Sequence, residues 1–345
     1  MLRALLPLTL LLSVQSLAAD LSGHARLWVG PGFDSNATRD FVSTGQTTWP
    51  DGFLYGVGSV DGTALFERVS LFGAYDIAGR KFITQPLEDT VLQTAELNAS
   101  VTLTKAISVG VVGRARDRRA TDRGYTDLST AAILDFRPDA SLQASVEVGA
   151  ERFLFNPRFS YSYSGPTATA RVKYRMDRKH SLWVNGSYMP RKYNGTTNDN
   201  PNLDDEVSIL RRDSVVSAGL GYSFRGPFQL SASYGFFEQS SNSYGESQRR
   251  HRLQVNAGIR LPWSLMLFAS GALQLSQFPD AIYLSPDLQV IEDEENSSFV
   301  TLKLVRPLDA HVDLDVRYAL YVNVLPQAAF LYLRQVASVG ITVHW

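Results

Sequence analysis

The last stretch of the chain alternates between apolar and polar residues almost without a break. From Phe330 to Trp345, the residues Leu331, Leu333, Ala337, Val339, Ile341, Val343 and Trp345 fall on one face. Tyr332, Arg334, Ser338, Thr342 and His344 fall on the other. A period of two over this length predicts a β-strand with one apolar side. Strands of globular sheets typically run to about five or six residues, so this one has the length of a tilted strand that crosses a bilayer.

The same pattern recurs along the chain. Ala95, Leu97, Ala99, Val101 and Leu103 alternate with Thr94, Glu96, Asn98, Ser100 and Thr102; Ala168, Ala170, Val172 and Tyr174 alternate with Thr169, Arg171, Lys173 and Arg175. Short turn signals fall at Asp61-Gly62, Thr104-Lys105, Pro138-Asp139, Asp177 to Lys179, Arg225 to Pro227, Pro262-Trp263 and Arg306 to Asp309. Between them lie mostly longer polar connections: Phe33 to Asp51, the charged run Asp117 to Gly124 (expected to be solvated), Phe153 to Gly165, and Tyr193 to Glu206. About sixteen strands result, joined alternately by short and long connections. The predicted fold is all-β: a transmembrane antiparallel up-and-down β-barrel. An even strand count places both termini on one side, the periplasmic side if the short turns lie there.

Composition narrows the function classes. The chain has 345 residues and a net charge of -1, so no global field points to nucleic acid. A hydrophobic content of 44% suits a barrel, whose apolar residues occupy every second position. There is no cysteine, which excludes disulfides, thiol chemistry and cysteine-based zinc sites. No glycine-rich phosphate loop occurs, and no cofactor or metal is expected; the acidic runs Asp204 to Glu206 and Glu292 to Glu295 lack calcium-loop spacing. Arg3, the apolar run Leu5 to Leu12 and the small residues Ser16, Ala18 and Ala19 predict a cleaved export signal at 1–19. Residues 20–345 then form a single barrel domain.

A barrel of this size encloses a lumen that side chains cannot close, so the polar faces must meet water or folded-in loops. The basic residues expected to line it are Arg114, Arg116, Arg171, Lys173, Arg175, Arg252, Arg260, Lys303, Arg317 and Arg334, with Arg26 beside them. The acids expected there are fewer: Glu96, Glu147, Glu151, Asp313 and Asp315. A basic wall favours anions. On the lipid side, Leu314, Val339 and Ile341 should reject arginine, whereas Asp315 and Ser338 should tolerate it. Among the histidines, His251 lies near the outer rim, where an enzymatic barrel would need an Asp/His or Ser/His cluster.

The chain resembles bacterial outer-membrane β-barrels of porin size. The likeness spans the mature chain and rests on its hairpin rhythm and on the final Trp345. In such barrels a terminal Phe or Trp serves as a signal to the barrel-insertion machinery. The resemblance thus implies an integral protein of the outer membrane of a Gram-negative bacterium, in contact with outer-membrane lipid. General diffusion porins fold a long third outer loop inward, whereas Asp117 to Gly124 is short. The stretch Gly30 to Asn36 is similar to the opening of barrels that accompany secretion or exopolysaccharide-export systems. Three functions follow as expectations. The first is a water-filled conduit for hydrophilic solutes, anionic ones among them, or for polymer. The second is a structural barrel bound to envelope-complex proteins in a secretion, export or motility machine. The third is a barrel enzyme.

Overall fold

The computed structural model describes residues 20–39, 48–156, 158–197, 209–279, 298–325 and 330–345. The expected leader at 1–19 and the two acidic runs lie outside the described residues. The chain runs through β1 (Asp20–Asp34), β2 (Asp51–Leu65), β3 (Val69–Phe82), β4 (Thr90–Thr102), β5 (Ile107–Arg119), β6 (Tyr125–Phe136), β7 (Leu142–Phe155), β8 (Tyr163–Arg175), β9 (His180–Thr196), β10 (Leu210–Arg225), β11 (Phe228–Ser241), β12 (Gln248–Arg260), β13 (Met266–Gln277), β14 (Ser298–Pro307), β15 (Val312–Leu325) and β16 (Phe330–His344). Each strand pairs antiparallel with its neighbours in sequence, and β16 pairs with β1, so the sheet closes on itself. Closure leaves no edge strand with unpaired backbone groups, which is what a bilayer demands of a β-structure.

The two faces are inverted relative to a water-soluble protein. Leu97 and Val148 are 69% and 58% exposed on the outside, in an apolar band that includes Val184, Leu220, Val316 and Val339. Charged side chains such as Asp34, Asp315 and Arg334 are buried on the inside. Exposed aromatics ring both ends of the band. Phe136, Tyr174, Phe228, Trp263 and Trp345 lie at the short-turn end; Phe33, Trp49 and Phe159 lie at the other. Girdles of this kind mark the two membrane interfaces of such barrels.

Carboxylates shape the short turns. Asp139 accepts hydrogen bonds from the Ser141 hydroxyl and from the N–H groups of Ser141 and Leu142, and these hold its pKa below the usual carboxylate range. Asp177 accepts from the N–H groups of Lys179 and His180, with the same effect. The turn expected at Pro262-Trp263 is centred one residue later: Leu265 N–H donates to Pro262 O, and Trp263 and Ser264 have φ of 59° and 61°. Both central residues of such a hairpin turn need positive φ, which costs a residue with a Cβ about 1–2 kcal/mol. Ser264→Gly should therefore raise stability by about 1 kcal/mol, read as a higher urea midpoint for the lipid-reconstituted barrel. An unchanged or lower midpoint would show that the turn is not strained.

Three boundaries differ from the sequence pattern. Asp61-Gly62 is not a turn: β2 runs through it, with Asp61 opposite His24 and Ala74, and the chain turns at 66–68, where Phe66 N–H donates to Val69 O. The loop expected at Phe33 to Asp51 is shorter, because β1 continues through Pro31 to Asp34. A proline fits there because the β1–β16 register has no paired residues at Gly30 and Pro31. The aromatic segment Phe153 to Gly165 is mostly strand, leaving 156–162 as the connection. Arg118, expected in a solvated run, is buried on the inner face of β5.

Candidate functional site: the inner wall

The period of two fixes which residues face inward, and the register aligns them from strand to strand. Three sectors differ in chemistry.

The first sector spans the closure seam. Arg334 on β16 places Nε 3.0 Å from each carboxylate oxygen of Asp34 on β1, and both side chains are fully buried. Below this pair, the Trp28 indole N–H donates to Asp315 on β15 at 2.8 Å, across the intervening β16. Gly340 makes that reach possible: a Cβ there would lie 2.4 Å from the Trp28 ring. Asp315 also accepts from Arg317 at 2.8 Å and Thr342 at 3.0 Å, and pairs with Lys303 at 3.5 Å. Arg317 stacks over Trp28, and Arg80 over Phe53 and Tyr55. Asp315, expected to tolerate arginine, is thus the anchor of a buried network and not an open lumen position.

The second sector runs over β4 to β10. Arg114 is matched by Glu96 at 3.2 Å and Glu147 at 3.0 Å. Towards the end bearing the longer connections, aromatic and guanidinium groups pack side by side around the wall. Arg116 lies over Tyr125, Tyr125 and Tyr163 both pack on Phe153, Tyr163 meets Tyr193, and Arg211 lies over Tyr193. Arg211 is held by Asp213 at 2.7 Å and Glu246 at 3.0 Å. The opposite end of β8 differs. Arg171, Lys173 and Arg175 occupy alternate inward positions, while Val172 and Tyr174 are exposed on the outside. Arg171 lies 5.7 Å from the Trp183 ring, and none of the three makes an ion pair among the described residues.

The third sector, β9 to β13, is built from small hydroxyl and amide side chains. Ser187 bonds Ser217, Ser181 bonds Ser223, and Asn256 joins Ser231 to Ser270. A recess of about 340 Å³ opens in this wall, bounded by Trp183, Asn185, Phe237, Arg250, Arg252 and Gln274. Arg252 donates to Gln274 at 3.2 Å, and Arg250 lies over Phe237. Aromatic faces, amides and two cations in one recess suit a hydrated, polar or anionic ligand.

Of the expected basic lining, Arg114, Lys303, Arg317 and Arg334 are therefore matched by carboxylates, and Arg116 and Arg252 lie against aromatics. Arg171, Lys173, Arg175 and the exposed Arg260 make no ion pair among the described residues. Sequence reasoning missed several inward acids. Asp34, Asp61, Asp76, Asp127, Asp135 and Asp213 share the inner face with their strand neighbours, so the wall is less one-sided than expected. At the mouth, Arg123 donates to Thr38 O at 3.2 Å and pairs with Glu88 at 3.7 Å, tying the first three longer connections together. His251 faces outward, bonded to the Tyr234 hydroxyl at 2.7 Å and packed on Phe236. No carboxylate or serine joins it among the described residues, and none of those residues form a group that could hold a metal ion.

No protein-family model matches the chain, and no curated relative matches it. Solved structures do. OmpF of Salmonella typhi, in complex with daunomycin, is 13% identical, with a TM-score of 0.53 over 94% of this chain and 97% of that one. OccAB1 of Acinetobacter baumannii is 12% identical, with a TM-score of 0.52 over 96% and 99%. A loop L8 deletion mutant of OmpT, an outer membrane protein of Vibrio cholerae, is 8% identical, with a TM-score of 0.50 over 94% and 99%. The fold is that of the bacterial outer-membrane β-barrels, with sixteen strands.

Proposed function

We propose that the protein spans the outer membrane of a Gram-negative bacterium as a water-filled conduit for hydrophilic solutes, with a preference for anions. One observation carries the anion preference: Arg171, Lys173 and Arg175 share the inner face of β8 and make no ion pair among the described residues. Three such cations on one wall raise the local anion concentration within about a Debye length, 8–10 Å. Replacing all three with glutamate should shift the reversal potential in a salt gradient towards cation selectivity, most of all at low salt. If the triple variant keeps the parent selectivity, the strip does not set it. If the parent barrel carries no current in planar bilayers, the conduit reading fails. The second reading, a structural barrel of a multiprotein envelope machine, then takes its place; the bracing of the mouth by Arg123 favours it.

The same proposal puts both termini and the short turns in the periplasm, after removal of an export signal at 1–19. Ala25 and Trp345 exchange backbone hydrogen bonds of 3.2 and 2.9 Å at the short-turn end, which supports a shared side. Trp345 is exposed there at the level of an aromatic girdle. We assign it the role of assembly signal to the barrel-insertion machinery. Deleting Trp345 should cut the folded fraction severalfold in cells, seen as loss of the heat-modifiable band on unheated gels. It should matter less for the purified chain refolding into vesicles. Equal loss in both settings would assign Trp345 to the seam alone.

A further inference from the structure

On the outside of the barrel, a groove of about 750 Å³ crosses β4 to β9. Its floor is low because Gly113, Thr130 and Ala150 stand side by side there, between the exposed Leu97 and Leu128. A Cβ built on Gly113 meets nothing within 4 Å. At the end of the groove nearer the longer connections, Arg152 and Lys192 join its lining. The register sets Arg152 opposite Ser164, Ser164 opposite Lys192, and Lys192 opposite Arg212. Three exposed cations thus stand in one register row on β7, β9 and β10, on the outer face of the wall.

Other cations near the same end of the outer surface have acidic partners. Arg119 pairs with Asp117 at 3.1 Å, Arg249 with Glu238 at 2.7 Å, and Lys81 with Asp89 at 2.9 Å. Arg152, Lys192 and Arg212 make no ion pair among the described residues. Alternate strands lie about 10 Å apart, so the long side chains of Arg152 and Lys192 can converge over Ser164 on a single anion. A guanidinium and an ammonium are the groups that bind phosphate, and they extend along an apolar wall to reach the interface. Below them the groove is apolar and as deep as a missing side chain. We propose that it binds a phosphate-bearing lipid of the surrounding leaflet. The headgroup phosphate sits between Arg152 and Lys192, with Arg212 beside it, and one acyl chain lies over Gly113 and Ala150.

The test uses the full barrel in detergent, mixed with dimyristoyl phosphatidic acid or with phosphatidylcholine of the same chains, and read by native mass spectrometry. The parent protein should retain one phosphatidic acid per chain at least about tenfold better than phosphatidylcholine. Arg152→Gln/Lys192→Gln/Arg212→Gln should remove that preference. Gly113→Trp, which fills the groove and leaves the charges in place, should reduce retention as well. The heat-modifiable band confirms that each variant is folded. Equal retention of both lipids overturns the proposal, as does retention unchanged in either variant. A dimer that Gly113→Trp abolishes would give the groove to a second copy of the chain instead, and would also overturn it. None of these outcomes depends on whether the barrel conducts.

Discussion

Replacing Arg334 with methionine lowers the unfolding free energy by about 3–5 kcal/mol, because it strands a buried carboxylate. Asp34 and Arg334 are both fully buried, and the guanidinium binds both carboxylate oxygens. Removing one partner leaves the other without the attraction that offset its desolvation. Arg80 lies 3.9 Å away and compensates in part. The double variant Asp34→Asn/Arg334→Met should recover much of the loss, since the buried carboxylate is then removed together with its guanidinium partner, while Arg80 keeps its place over Phe53 and Tyr55. The measurement is the equilibrium urea unfolding of the refolded barrel in lipid vesicles. A loss under about 1 kcal/mol for the single variant, as for an exposed pair, would mean that water reaches the seam.

Arginine at Val339 should cost about 2–4 kcal/mol in the same assay, the range for a charge on the lipid face near mid-membrane. Val339 is 43% exposed, pairs with Val316 and points away from the lumen. Arginine at Ser338, one residue earlier, points inward and should cost a fraction of that, the remaining penalty coming from Arg317 directly opposite. Equal costs at the two positions would place the register one residue out. Asp315 does not serve as a second inward control: Asp315→Arg breaks contacts to Trp28, Arg317, Lys303 and Thr342 at once.

The barrel is legible in the sequence because a side-chain period of two between water and lipid leaves its mark on every strand. The closing strand and the alternation from Ala95 to Leu103 show it most plainly. The errors have local causes. Asp61-Gly62 has the composition of a tight turn, yet Asp61 serves as an inward residue bonded to His24, and a dipeptide carries no record of that partner. Gly30-Pro31-Gly32 reads as a loop by composition. Its role is spatial: Gly32 lies under the Phe53 ring, and Gly30 lies against the backbone of β16. The inner wall was legible as a face but not as a network. Which arginine is neutralised depends on pairs such as Arg114 with Glu147, or Arg334 with Asp34, that lie far apart in sequence. A single chain records the residues and not their meeting.

The seam also orders assembly in time. Asp34 and Arg334 are 300 residues apart in sequence, and Trp28 and Asp315 are 287 apart. Hairpin pairings close short loops and can form early, whereas contacts of this separation come only after nearly all the others. Until β16 arrives, β1 presents an open row of backbone groups beside a carboxylate that has only Arg80 within ion-pair reach and an indole without Asp315. Such an edge is costly to leave in lipid. When the last strand docks, the row, the charge and the indole are satisfied together.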